Sequence, residues 1–195
     1  MPVPAARTTL DDTSRRQMAP EDQDLIALVA KGDEQAFRLL HDRYWGKLLS
    51  FTLRIVRRRD LAEEATLDAL MAVWRGAASF RGEARPSTWI FGIAYRTALK
   101  ACKNLRRESL HDEIDEAAHI GSDGVNELEA IMRSRMVAAA LARLPAEQRA
   151  TVQLTYYYGY RLSEIAQITD CPVGTVKARM FHARAKLRAL LQDTA

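Results

Sequence analysis

The sequence predicts an all-α protein of two small helical domains joined by an acidic flexible linker, the C-terminal domain being a helix-turn-helix. Three observations lead there. Apolar residues recur at steps of three and four in one segment after another, and no run alternates as a half-buried strand would. Charge comes in blocks: +5 over residues 21–107, −8 over 108–130 with neither lysine nor arginine, and +6 over 131–195. Near the C-terminus a short helical pattern, a tight turn and a longer basic helical pattern follow one another, the order of a helix-turn-helix. Two basic blocks flanking an acidic one suggest two polyanion-binding modules, joined by a segment that must not stick to the same polyanion.

Composition narrows the function classes. With 195 residues, 48% of them apolar, the chain is long enough to bury a core in one domain or two. Cys102 and Cys171 lie far apart without CxxC or Cys/His spacing, and histidines 41, 111, 119 and 182 make no metal-ligand pattern. Neither a disulfide framework nor a metal or cofactor is expected, and the thiols read as buried and structural in a reducing cytoplasm. No apolar run is long enough for a membrane span, and the first twenty residues lack the apolar core of a signal peptide. Glu63 and Glu64 are explained as helix-start charges, the serines lack a paired histidine motif, and no glycine loop cradles a phosphate, so catalysis is not expected.

Taken in order, residues 1–20 form a tail without periodicity, expected to be disordered, and 21–107 the first domain. Pro20, Glu21, Asp22 and Asp24 open a short helix that ends at Gly32. Asp33 caps the next helix, which carries Phe37, Leu40, Tyr44 and Leu48 on one face and closes on Arg57–Arg59. Asp60 is expected to cap a third helix, LAEEATLDALMAVWR, whose apolar positions run nearly all round. A helix so apolar is central to a bundle or is covered by a second protein. After a loop over 76–86, Pro86 and Ser87 start a helix that continues unbroken to Arg106–Arg107.

That fourth helix has two legible faces. Ile90, Ala94, Ala98, Ala101 and Leu105 make a buried stripe, while Arg96, Lys100, Lys103 and Arg107 recur at the same steps on another face with Trp89 at its head. A cationic rail headed by an aromatic ring fits a polyphosphate backbone and a base that has left its stack. The competing reading is a solvated basic face with Trp89 in the core, and the residues alone leave both open.

Residues 108–126 read as the acidic linker, and 127–195 as the second domain. Helical pattern returns from Glu127 to Leu144, and Pro145 opens another helix, AEQRATVQLTYYY, interrupted by Gly159. Ser163 is expected to cap SEIAQIT, and Asp170–Cys171–Pro172 turns the chain into a long last helix. There Val176, Met180, Ala183, Leu187 and Leu190 form the apolar stripe. Thr175, Arg179, His182 and Lys186 share another face, with Lys177 and Arg184 beside it, as a helix lying in a major groove requires.

Five segments in this order resemble the bacterial extracytoplasmic-function (ECF) sigma factors of the sigma-70 family: AFRLLHDRY (36–44), LAEEATLDALMAVWR followed by FRG, STWIFGIA, LPAEQR (144–149) and GYRLSEIAQITDCPVGTVKAR (159–179). The resemblance covers about residues 22 to 192. It implies a cytoplasmic promoter-specificity subunit whose partners are core RNA polymerase, promoter DNA and an anti-sigma factor. It further implies polymerase contacts at Glu64, Leu67, Asp68, Met71 and Trp74. Minus-10 melting and base capture fall to Phe80, Arg81 and Trp89, with Arg96, Lys100, Lys103 and Arg107 on the DNA, and minus-35 contacts to Thr175, Lys177, Arg179, His182, Arg184 and Lys186. The chain departs from the family pattern at Leu67, where glutamine is frequent, at Leu70, where phenylalanine is, at Tyr95–Arg96–Thr97, at Lys100 and at His182. Those departures imply an altered polymerase contact, an atypical minus-10 sequence and one weakened minus-35 contact at neutral pH. In the family the linker threads toward the polymerase active site. Here its acids are equally explained by occupancy of a basic channel and by a self-repelling spacer.

The alternative from another class is a helix-turn-helix regulator that acts without polymerase, with 21–107 as a sensor or dimerisation bundle. It would be a stable dimer on a palindromic site.

Overall fold

The computed structural model describes residues 20–108 and 136–192, and all regular structure among them is helical. The tail, the acidic linker and the first part of the helical pattern after Glu127 lie outside these residues. The helices are α1 (Asp22–Val29), α2 (Glu34–Val56), α3 (Arg59–Gly76), α4 (Pro86–Glu108), α5 (136–142), α6 (Ala146–Tyr156), α7 (Leu162–Thr169) and α8 (Val173–Gln192).

Several boundaries fall where local chemistry puts them. The Asp33 carboxylate accepts from the backbone N–H groups of Gln35 (2.9 Å) and Ala36 (3.0 Å), satisfying two donors that the first turn of α2 leaves free. Gly32, just ahead, has φ +87°, a conformation that glycine adopts without a Cβ penalty. Two starts differ from expectation. Asp60 does not cap α3: the N-cap is Arg58, and Asp60 sits inside the first turn, bound to the Arg58 guanidinium. Nor does Ser163 cap α7, whose N-cap is Arg161. The Glu164 carboxylate reaches back to accept from the Arg161 backbone N–H at 2.8 Å, the reciprocal half of a capping box, and supplies what the serine was expected to.

Helices α2, α3 and α4 pack on one another, with α1 lying across α2. Leu40, Leu48, Phe51, Ile55, Ala62, Ala69, Val73, Ile90, Ala94 and Ala98 are all but excluded from water. Where α2 crosses α3, the hydroxyls of Thr52 and Thr66 lie 2.7 Å apart and both reach the carbonyl of Ala62, so neither polar group is buried unpaired. In the second half α6 and α8 enclose Leu144, Val152, Met180 and Ala183, and α7 closes against both.

The two halves also pack on each other. Ala150, Leu154, Ile165, Ile168 and Val176 belong to the same continuous core as Phe51, Phe91 and Ala94. The Phe91 ring meets Tyr158 (4.8 Å) and Tyr160 (5.5 Å), and the Tyr158 hydroxyl donates to the carbonyl of Lys47 at 3.0 Å. α7 meets α4 at Gly92, where a Cβ would make ordinary contact with the carbonyl oxygen of Ile168 at 3.5 Å. Arg149 is 7% exposed, and its hydrogen-bond partners among the described residues are backbone carbonyls. Its guanidinium donates to the carbonyls of Ala142 (2.9 Å), Leu144 (3.0 Å) and Ile55 (2.5 Å). These acceptors close two helices, one from each half, and the negative ends of two helix dipoles stand in for a counterion.

Burial raises the phenol pKa values of Tyr44, Tyr95, Tyr158 and Tyr160, with the hydrogen bond to Asp22 adding to the effect at Tyr44. Because the folded pKa values lie above the unfolded one, these phenols leave stability intact below about pH 10 and lower it as pH rises further. Each phenol still protonated in the fold then removes about 1.4 kcal/mol per pH unit. Urea titrations at pH 9 and pH 11 are expected to show a much lower midpoint at the higher pH, and equal midpoints would contradict the burial.

Candidate nucleic-acid interface

On α3 the residues expected to meet a polymerase point outward with one exception. Leu67 is 51% and Met71 45% exposed, one turn apart, with Glu64 and Asp68 exposed beside them. Four apolar and acidic side chains thus form a strip that no other described residue covers. Trp74 is half-buried, its ring edge-on to Phe37 at 5.1 Å, so most of its surface is spent inside the fold.

The α4 rail is present as a continuous exposed row: Arg96, Lys100, Lys103 and Arg107 all face solvent. Opposite lie buried Ile90, Ala94 and Ala98, with Ala101 and Leu105 half-buried. The two readings of Trp89 resolve into an intermediate position. Its ring sits against Phe80 (5.0 Å) and within 3.5 Å of where a Cβ on Gly76 would be, half-buried at the head of the rail. Gly76 ends α3 and Phe80 follows a short 3-10 turn, Ala77–Ser79, so the end of one helix props the ring at the start of another. Arg81 is exposed in the loop that follows.

On α8 the stripe of Val176, Met180 and Ala183 is buried, and Lys177, His182, Arg184 and Lys186 are exposed. Thr175 and Arg179 are half-buried. Arg179 turns toward the first domain, donating to the Cys171 sulfur at 3.6 Å and lying beside the hydroxyl of Tyr95, whose pKa it works to lower against the larger effect of burial. Arg184 donates twice to the Tyr156 hydroxyl, at 2.7 and 3.1 Å. One residue of this face escaped the sequence reading. Phe181 is 70% exposed, the most exposed large apolar side chain described, and stands between Lys177 and Arg184 on the outward side of α8. An aromatic residue interrupting a basic face was the available signal.

Among the described residues no group of three or more histidines, cysteines or carboxylates could hold a metal ion, and no helix is long and apolar enough to cross a membrane.

Comparison with known proteins agrees with this layout. A profile of Sigma-70 region 2 matches residues 40–108, and one of Sigma-70 region 4 matches residues 134–187. The ECF RNA polymerase sigma-E factor of Haemophilus influenzae is 31% identical over 181 residues, covering 88% of this chain and 95% of that protein. The ECF RNA polymerase sigma-E factor of Escherichia coli K12 is 35% identical over 173 residues, covering 84% and 90%. Among solved structures, the sigma factor RpoE in complex with the anti-sigma factor NepR from Bartonella quintana superposes with a TM-score of 0.67 at 25% identity, covering 80% of this chain and 96% of that one. CnrH in complex with the cytosolic domain of CnrY shares the fold, with a TM-score of 0.66 at 22% identity over 89% of this chain and 99% of that one. The chain belongs to the ECF RNA polymerase sigma factors, and its function is to direct RNA polymerase to promoters for transcription initiation. A regulator acting without polymerase is not favoured, because the first domain matches region 2 of a sigma factor rather than a sensor.

Proposed function

We propose a division of labour among three surfaces. The α3 strip of Glu64, Leu67, Asp68 and Met71, with the exposed part of Trp74, binds core polymerase. Phe80, Arg81 and Trp89 hold the opened minus-10 element, and Arg96, Lys100, Lys103 and Arg107 run along its backbone. The outward face of α8 reads the minus-35 element through Lys177, Phe181, His182 and Arg184, with Lys186 on phosphate and Thr175 and Arg179 at the edge of the contact. The observation that carries this reading is the separation of an uncovered aliphatic strip on α3 from an uncovered cationic row on α4. The first suits a protein partner and the second a polyanion.

The protein acts by binding in the cytoplasm, without catalysis, and an anti-sigma protein is a fitting partner, as NepR is for RpoE in the complex of similar fold. The domain limits are those read from the sequence: residues 1–20, 21–107, 108–126 and 127–195. Opening costs a few kcal/mol per unstacked base, and capture of a flipped base beside Trp89 offsets part of that.

The test is reconstitution. Adding the chain to core polymerase is expected to produce promoter-specific transcripts. Changing Leu67→Asp and Met71→Asp together should weaken polymerase binding by at least about 2 kcal/mol. Folding stability should shift by only about 0.5 kcal/mol per site, because both side chains are exposed. Binding assays with and without the two changes that gave the same affinity would move the polymerase contact elsewhere.

A further inference from the structure

One pair of side chains stands apart from the packing that makes the second domain. At the end of α6 the Tyr156 hydroxyl accepts from Nε and Nη2 of Arg184 on α8, at 3.1 and 2.7 Å, and the guanidinium lies 5.9 Å from the ring centre. Tyr156 is 60% exposed, and Arg184 is exposed as well. The pair is not what joins the two helices, since buried Leu144, Val152, Met180 and Ala183 already do that.

Its chemistry is directional. Among the described residues the guanidinium is held by a neutral phenol and by no carboxylate, so its positive charge stays uncancelled. Both hydrogen bonds use the Nε–Nη2 edge, which leaves the N–H groups of Nη1 and the second one of Nη2 free on the other edge. The phenol oxygen, already accepting twice, has only its proton left to give. Every open position of the pair is therefore a donor, and the pair is positive. A phosphate diester, which offers acceptors and a negative charge, is the matching group. A guanine edge also offers two acceptors, and position decides between them. Base contacts fall to the N-terminal residues of a recognition helix, whereas Arg184 stands nine residues past Thr175, about 14 Å further along α8 at ~1.5 Å per residue. Its anchor, moreover, belongs to α6, outside the short helix, turn and long helix of the motif.

We propose that Tyr156 is a positioning residue for promoter binding, whose hydroxyl aims the free edge of Arg184 at a backbone phosphate on the wall of the minus-35 groove. The proposal rests on the sigma-factor reading and refines it, giving Arg184 the backbone and leaving base edges to Lys177, Phe181 and His182. A phosphate gripped at this point fixes how far along the groove α8 lies, and so which bases those three side chains meet.

The test uses the full chain reconstituted with core RNA polymerase, and a duplex that this holoenzyme selects from a random-sequence pool. In that duplex single phosphates are replaced, one at a time, by uncharged methylphosphonates. For the wild type, replacement of one phosphate beside the minus-35 element is expected to weaken binding roughly tenfold. Tyr156→Phe, which removes one oxygen and keeps the ring, should bind the unmodified duplex about three- to tenfold less tightly and lose its sensitivity at that phosphate alone. The loss should be equal on the selected duplex and on a scrambled one, because a phosphate carries no sequence. Tyr156→Phe combined with Arg184→Ala should be no weaker than Arg184→Ala by itself, since the hydroxyl acts through the guanidinium. An unchanged phosphate scan in Tyr156→Phe would overturn the proposal and make the pair a structural tie. A loss confined to the selected sequence would overturn it as well, making Arg184 a base reader. If core polymerase and the wild-type chain select no duplex at all, the sigma-factor reading fails and the proposal with it, an outcome distinct from a selected duplex whose scan Tyr156→Phe leaves unchanged.

Discussion

Replacing Arg96, Lys100 and Lys103 together by alanine is expected to abolish open-complex formation while core-polymerase binding stays at the wild-type level. The three side chains share one exposed row on α4, and Leu67 and Met71, proposed above for the polymerase contact, stand exposed on α3. Each phosphate neutralised releases a counterion, and the logarithm of the binding constant changes with the logarithm of salt by about 0.7 to 0.9 per contact. The salt slope of promoter binding should therefore fall by about two to three in the triple variant. Permanganate reactivity of unpaired thymines measures opening, and affinity capture of core polymerase measures the partner contact. Loss of the captured polymerase would count against this division of surfaces.

Arg149→Leu should lower folding stability by about 3–5 kcal/mol, the range for removing one partner from a buried charged network. Three helix-end carbonyls lose their donor at once, and leucine fills the volume without offering an N–H. Arg149→Lys is not expected to rescue, because a single ammonium does not reproduce a planar fork reaching acceptors on two helices. Guanidinium denaturation followed by circular dichroism gives the answer, and a loss below about 1 kcal/mol would mean that water replaces the guanidinium at little cost.

How much of this was legible beforehand depends on the range of the interaction. Signals that act within a turn or two of chain were readable: the Asp33 cap, the Pro86 start, the stripe of Ile90, Ala94 and Ala98, and the row from Arg96 to Arg107. The two missed helix starts are local as well, but there backbone N–H groups and neighbouring arginines compete for the same carboxylates, and Asp60 and Glu164 each had more than one place to go. What stayed hidden was set by contacts between distant segments. Phe91, Gly92 and Tyr95 are buried because α7 and α8 come to rest beside them, and no periodicity within α4 announces a second covered face. Arg149, in a short LPAEQR segment, reads as a surface charge until two helix ends converge on it. At the site, the charged faces of α4 and α8 were visible as patterns, whereas the inward turn of Arg179 and the prominence of Phe181 follow from the docking of the second half.

The uneven enclosure of α4 divides that helix by its tolerance of change. Between Thr88 and Tyr95 every residue except Trp89 is buried, packed by α3 on one side and α7 on another. Beyond Tyr95 one side stays open, and Arg96, Lys100, Lys103, Asn104, Arg106 and Arg107 are all exposed. Substitution in the first half disturbs the fold, whereas in the second half the outward row can change at the surface alone and only the opposite face, with buried Ala98 and half-buried Ala101 and Leu105, is tied to the core. On the reading proposed above, a lineage of such chains can therefore strengthen or weaken its grip on the DNA backbone through the outward face of one end of a single helix while the other end holds the architecture constant, in single steps that leave folding untouched.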